Sequence, residues 1–223
     1  MAYARFPKHA QMTRRELHRL LAGAASLGVT SLLASPSSAA ASRTQLGTVD
    51  MIVQVAGATF GTTSRPLKVA DRVYRNDQLW TKDRGQLHVS MLDGSSLSLG
   101  ERSEVTLDDS IVGPASATSS FMRVLRGAFR FRSPGTEKPM QPPQIDTPFA
   151  VLSLRGTEVF GGPIDGAYGI LVISGEVGVT NDGGSVILKA GDGTTLTARN
   201  VAPTPPKQWP EAKVKRAKAM LRF

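Results

Sequence analysis

The chain contains no cysteine. Disulfides, thiolate nucleophiles and sulfur-ligated zinc are thereby excluded. Histidine is nearly as scarce, with three in 223 residues. His9 and His18 lie close to the N-terminus, so an imidazole-assisted nucleophile further along would depend on His88 alone. His88 falls on the polar side of an alternating strand pattern, where an exposed surface residue is expected rather than a catalytic base. No glycine-rich loop runs into a helix, as a phosphate cradle requires. Carboxylate pairs occur at Asp108-Asp109 and Glu101/Glu104, set among small polar residues in the manner of solvated turns. The chain reads as a non-enzyme without cofactor or metal.

Long apolar runs are missing as well. The best candidate, Leu20 to Ala34, is rich in Ala, Gly and Ser. It falls short of the roughly 20 strongly apolar residues of a membrane span. Acidic charge is in short supply, since 27 Lys/Arg face 18 Asp/Glu for a net charge of +9. The excess sits at the ends. Beyond residue 41 the balance is 22 basic to 17 acidic, and six of those basic residues occupy the last 17 positions. A body so close to neutral argues against a nucleic-acid partner.

The first 41 residues read as an export signal. A basic region containing Thr13-Arg14-Arg15-Glu16-Leu17 precedes the weakly apolar run, and Ala39-Ala40-Ala41 supplies a small-residue cleavage site. The Arg14-Arg15 pair resembles a twin-arginine signal, with Leu17 in place and His18 where leucine is usual. An ordinary secretory signal and a retained anchor are the alternatives. Each of them places the protein outside the cytoplasm, with the periplasm expected.

What remains, residues 42–200, is a succession of short strand patterns. Val49, Met51, Val53 and Val55 alternate with Thr48, Asp50, Ile52 and Gln54, predicting a first strand with those valines and Met51 inward. Leu87, Val89 and Met91 alternate with Gln86, His88 and Ser90, and Asp93-Gly94 signals a hairpin into Ser96 to Leu99. Phe129 and Phe131 alternate with Arg130 and Arg132; Ala150, Leu152 and Leu154 alternate with Val151, Ser153 and Arg155. Ile170 to Ile173 is an unbroken apolar run, as in a buried strand. Ten or more such strands without a helical pattern between them predict an all-β sandwich, roll or short solenoid. Residues 201–223 differ: four prolines form a linker, and Glu211 to Leu221 reads as a short basic helix that either docks or frays.

Taken in order, these pieces resemble the FecR domain. The resemblance rests on Gly47-Thr48-Val49, Pro66-Leu67, Asp77-Gln78-Leu79-Trp80-Thr81, and Asp93-Gly94-Ser95 with Leu97, Leu99 and Ser103. It continues through Leu125 to Phe129, Thr147-Pro148, Arg155-Gly156-Thr157 and Gly175-Glu176-Val177, spanning residues 47–197. It implies a periplasmic β domain for sensing and protein contact, with an envelope or membrane protein (a sensor or transporter) as partner. The sigma-factor-binding region of the family's membrane-spanning regulators has no counterpart before the apolar segment, so that activity is not carried over.

Candidate contact residues are Arg155, Thr157, Asp93, Ser95, Trp80 and, on the tail, Lys213, Lys215 and Arg216. Arginine's planar fork suits a carboxylate partner, although an internal ion pair of Arg155 with Asp146 or Glu176 is the preferred reading. Arg123, Arg126, Arg130 and Arg132 form a basic stripe that protects a sheet edge. Trp80 is either core or a platform for envelope polysaccharide, the rival function. The basic tail is a candidate for peripheral contact with anionic lipid. Export itself is testable. Lysine at both Arg14 and Arg15 should trap the precursor in the cytoplasm, and the exported wild type should begin just after Ala41 on N-terminal sequencing. Unchanged export of the double variant would remove the twin-arginine reading.

Overall fold

The computed structural model describes residues 43–108, 121–134 and 142–221, all within one compact unit, Ala41–Phe223. The signal residues Arg14, Arg15, Ala39 and Ala41 lie outside the described residues.

A single long hairpin organises the sheet. Strand β12 (Val151–Ile164) pairs antiparallel with β13 (Ala167–Asn181) from Val151 opposite Thr180 to Ile164 opposite Ala167. On the other edge of β12, the N-terminal half takes β11 (Gln144–Asp146) and the C-terminal half takes β10 (Phe129–Arg132). Two arms grow from these attachments. One runs from β11 through β9 (Met122–Arg126), β8 (Glu104–Leu107), β5 (Gln78–Thr81) and β2 (Ala56–Phe60) to β3 (Thr63–Pro66). The other runs from β10 through β7 (Ser96–Leu99), β6 (Gln86–Met91) and β1 (Gln45–Val53) to β4 (Arg72–Tyr74). Beyond β13 lie β14 (Gly184–Lys189) and β15 (Asp192–Leu196), with the two-residue β16 (Lys207–Gln208) added to β15. Among the described residues the protein is all-β apart from one C-terminal helix, α1 (Glu211–Ala219).

The arms curl over one core. Leu87, Val89, Leu97 and Phe129 from one arm and Leu79, Val105, Met122 and Ile145 from the other belong to a single buried cluster. Burying one face of each strand accounts for the period-2 patterns of the sequence. The predicted hairpin at Asp93-Gly94 is present, with Gly94 at φ +84° as such a turn requires.

The first strand departs from expectation. Val49 stands opposite Val89, but Met51 stands opposite His88, so Asp50 is an extra residue in the ladder. The bulge reverses the alternation. Val49 stays buried and Ile52 turns inward, while Met51, Val53 and Val55 are 47%, 40% and 50% exposed.

The apolar run at Ile170 to Ile173 is explained by burial on both faces. Ile170 and Val172 join the main core, whereas Leu171 and Ile173 face outward into a second cluster with Phe160, Ile164, Ala217 and Leu221. α1 covers that outer cluster, so the tail docks rather than frays. Arg216 donates to both oxygens of Asp165 (2.9 and 3.0 Å), and the Lys213 ammonium lies 4.3 Å above the Trp209 ring.

The free ends of the two arms meet at Asp77. Its carboxylate has no solvent exposure and accepts from Arg43, from Arg65 on β3 (2.9 Å) and from the backbone N–H of Tyr74 on β4 (2.9 Å). Arg65 also donates to the Arg72 carbonyl on β4 (2.9 Å), bridging the two terminal strands directly. The Arg43 guanidinium stacks 3.8 Å over Phe60 and 4.8 Å over Tyr74, keeping the cation at the rim of the core. Removing the acid strands two arginines beside an apolar wall. Asp77→Ala should cost about 3 kcal/mol of unfolding free energy in urea titration. A loss below about 1 kcal/mol would show that other contacts hold the ends.

Candidate functional site

Most residues of the recurring motifs prove to be fasteners. Thr81 donates through Oγ1 to the Gly100 carbonyl (2.5 Å) and accepts from the Ser103 N–H (2.9 Å). Ser103 in turn donates to the Ala128 carbonyl (2.9 Å). Gly127, at φ +84°, passes so close that a Cβ there would lie 2.2 Å from the Ser103 hydroxyl oxygen. Thr147 accepts from the Ala150 N–H (3.0 Å) and donates to its carbonyl (2.7 Å), closing the turn that Pro148 begins. Such side-chain to backbone bonds satisfy turn groups that no strand can reach.

The predicted contact residues divide along the same line. Asp93 accepts from the N–H (2.9 Å) and hydroxyl (2.6 Å) of Ser95, and Ser95 is 2% exposed; both are engaged in the hairpin turn. Trp80 is half-buried on the outer face of β5. Its ring packs on Gly57, its indole N–H donates to Thr59 (3.1 Å), and the Lys82 ammonium lies 5.1 Å from the ring centroid. On α1, Lys213 and Arg216 are engaged with Asp165, while Lys215 is exposed.

Arg155 and Thr157 lie at the bend of the long hairpin. The register of β12 against β13 shifts between Arg155 and Glu158, with Gly156 at φ +56° and Gly175 opposite at φ +80°. Thr157 fixes the bend from inside. Its hydroxyl donates to the Glu176 carbonyl (3.0 Å) and accepts from the Arg155 N–H (2.8 Å), and its own N–H donates to Ser133 (2.7 Å). Arg155 projects outward and is exposed. The expected ion pair is not formed. Asp146 is taken by Arg123 (3.2 Å) and Arg199 (3.4 Å), and Glu176 faces Arg155 in the ladder without bonding its guanidinium. Arg132, exposed on neighbouring β10 beside Glu158, also has no ion pair among the described residues. The rest of the basic stripe is paired: Arg123 with Asp146, Arg126 with Glu104 (2.9 Å) and Arg130 with Glu158. The bend thus presents two unpaired guanidinium groups on a backbone whose polar groups are internally tied. No spacing rule separates these two arginines from their paired neighbours; only the register does.

A second cluster lies on the outer face of β1, β6 and β7. His88 is half-buried rather than exposed, with Nδ1 2.8 Å from the Ser98 hydroxyl and Nε2 3.7 Å from Asp50. The row has the residue types of a hydrolase triad but lacks its function. Ser98 is 3% exposed and sits mid-strand, its backbone paired on both sides, so no oxyanion donors converge on it. Burial lowers the His88 pKa below its ordinary value, Asp50 opposes this, and Arg130 and Arg132 reinforce it.

The site thus belongs to a curled all-β domain whose motif residues are buried ties, with Arg155 and Arg132 outside any ion pair among the described residues. The family model for FecR protein matches residues 77–178, which places a FecR domain in that stretch of the chain. Two crystal structures of a candidate anti-sigma factor from Parabacteroides distasonis ATCC 8503, at 2.50 and 1.65 Å, resemble the fold at 16% identity. Their TM-scores are 0.48 and 0.47, and each match covers 62% of this chain and 62% of the other, less than two thirds of its length. No curated protein matches the chain.

The His88 environment sets a pH dependence. A lowered native pKa means the unfolded chain binds the proton more readily, so stability falls as pH drops through the ordinary histidine value near 6.5. The melting temperature should therefore decline between pH 7 and 5.5, and His88→Gln should flatten that decline. An identical slope in the variant would place the acid sensitivity elsewhere.

Proposed function

We propose that this protein is an exported, non-enzymatic FecR-type domain that works in envelope signalling by contacting a membrane sensor or transporter through its central bend. The observation that carries the reading is Arg155. It is an exposed arginine with no ion pair among the described residues, held on a bend that Thr157 ties from inside, and a guanidinium in that state is suited to a carboxylate on a partner surface. Arg132 adds a second cation beside it. Enzymatic function finds no support in the one imidazole cluster, where the hydroxyl is buried and undirected. Periplasmic location rests on the leader.

The polysaccharide alternative needs an open aromatic platform. Trp80 has one side against Gly57, its N–H already bonded and a lysine beside the ring, which gives that alternative less support. On the tail, Lys215 and Lys218 remain exposed for anionic lipid, while Lys213 and Arg216 serve to hold α1 in place.

Capture from envelope extract tests the reading. The wild-type protein should retain one stoichiometric membrane protein, and Arg155→Glu with Arg132→Glu should reduce that recovery at least tenfold without altering the melting temperature. Recovery of glycan alone, or unchanged capture by the double variant, would overturn it.

A further inference from the structure

One end of the curled sheet opens into a cleft of about 680 Å³, within the roughly 300–1,000 Å³ of small-molecule sites. Its walls come from four separate places in the chain. They are the turn between β9 and β10, the Pro148-Phe149 turn before β12, the tip of the β12–β13 hairpin, and the end of β15. Leu125, Phe149, Tyr168 and Leu196 make it mainly apolar, and Leu125 at the lip is 40% exposed. Mouths of curled or closed β-sheets are a preferred position for ligand sites.

Tyr168 separates this cleft from an ordinary surface groove. The residue is 6% exposed and its hydroxyl has no hydrogen-bond partner among the described residues. Buried hydroxyl groups are nearly always paired, and an unpaired one calls for a specific reason. Burial also drives its pKa upward, so the phenol keeps its proton and remains a donor at any physiological pH. The Phe149 ring lies against Tyr168, with centroids 4.9 Å apart. Phe149 itself is half-buried and sits on the turn that Pro148 begins. The charge of the walls narrows the chemistry. Among the described residues Arg126 is the one cation lining the cleft, and it is already paired with Glu104 at 2.9 Å, so no unpaired charge among them waits for an ionic ligand.

We infer that this cleft binds a small neutral molecule with an aromatic or compact apolar body and one hydrogen-bond acceptor, which Tyr168 recognises through its hydroxyl. The apolar body lies against Leu125 and Leu196, and the acceptor satisfies the buried O–H. The site lies at the mouth of the sheet and does not use Arg155 or Arg132, so it stands or falls independently of the partner contact proposed above. It makes the domain a receiver of a diffusible compound as well as a protein-binding module.

Acetophenone and ethylbenzene nearly share a shape and differ by one carbonyl, which makes them suitable probes. Titrated into the full-length exported protein and followed by NMR, acetophenone should bind at least fivefold more tightly than ethylbenzene. Tyr168→Phe should erase that preference while leaving ethylbenzene unchanged. Should Tyr168→Phe fold poorly, Leu125→Glu at the exposed lip should weaken both ligands at least fivefold. Equal binding of the two probes to the wild type, a preference that survives Tyr168→Phe, binding unaffected by Leu125→Glu, or no binding of either at about 10 mM would each overturn the inference.

Discussion

The structure depends on a buried carboxylate. The two arms of the curled sheet end in open edges, and an open edge invites fraying or pairing with another chain. Here those ends are β3 and β4, and Asp77 gathers Arg65 from one, the Tyr74 N–H from the other, and Arg43 from just before β1. Burying a lone charge is costly, but three charge-assisted donors and two aromatic faces offset that cost and make the geometry specific. Closure by side chains lets a single acid hold both ends of the strand order.

The same logic runs through the other polar residues of the motifs. Thr81, Ser103, Thr147 and Thr157 each bond backbone groups at a turn or bulge where ladder pairing is interrupted. A curled sheet must interrupt its ladders to bend, and each interruption leaves N–H and C=O groups that need partners. Small hydroxyl side chains supply them with little bulk. These hydroxyl residues therefore describe how the sheet bends.

Sequence patterning revealed the fold where one face of a strand is buried and the other is wet. Leu87, Val89 and Met91, or Phe129 and Phe131, need no further information. It failed at β1, because an inserted Asp50 flips the phase without changing the visible alternation of valines. It could not tell why Ile170 to Ile173 is continuously apolar, since the covering helix lies some forty residues away in the chain. The parallel pairing of β11 with β9 was equally hidden. At the candidate site, the Arg155-Gly156-Thr157 bend was evident from its glycine, but the freedom of Arg155 was not. That freedom depends on Asp146 being claimed by Arg199, more than forty residues later. The cleft around Tyr168 had no signal at all, because its walls come from four unconnected turns.

The docking of α1 divides the hydrophobic interior in two. The main core lies between the arms, while Phe160, Leu171, Ala217 and Leu221 form a separate cluster on the outside of the same hairpin. Nothing in the inner cluster needs the helix. Detaching the helix would expose the outer cluster while leaving the inner one covered. The helix thereby acts as a cover tethered to the strip it shields, present at an effective concentration that does not depend on how dilute the protein is.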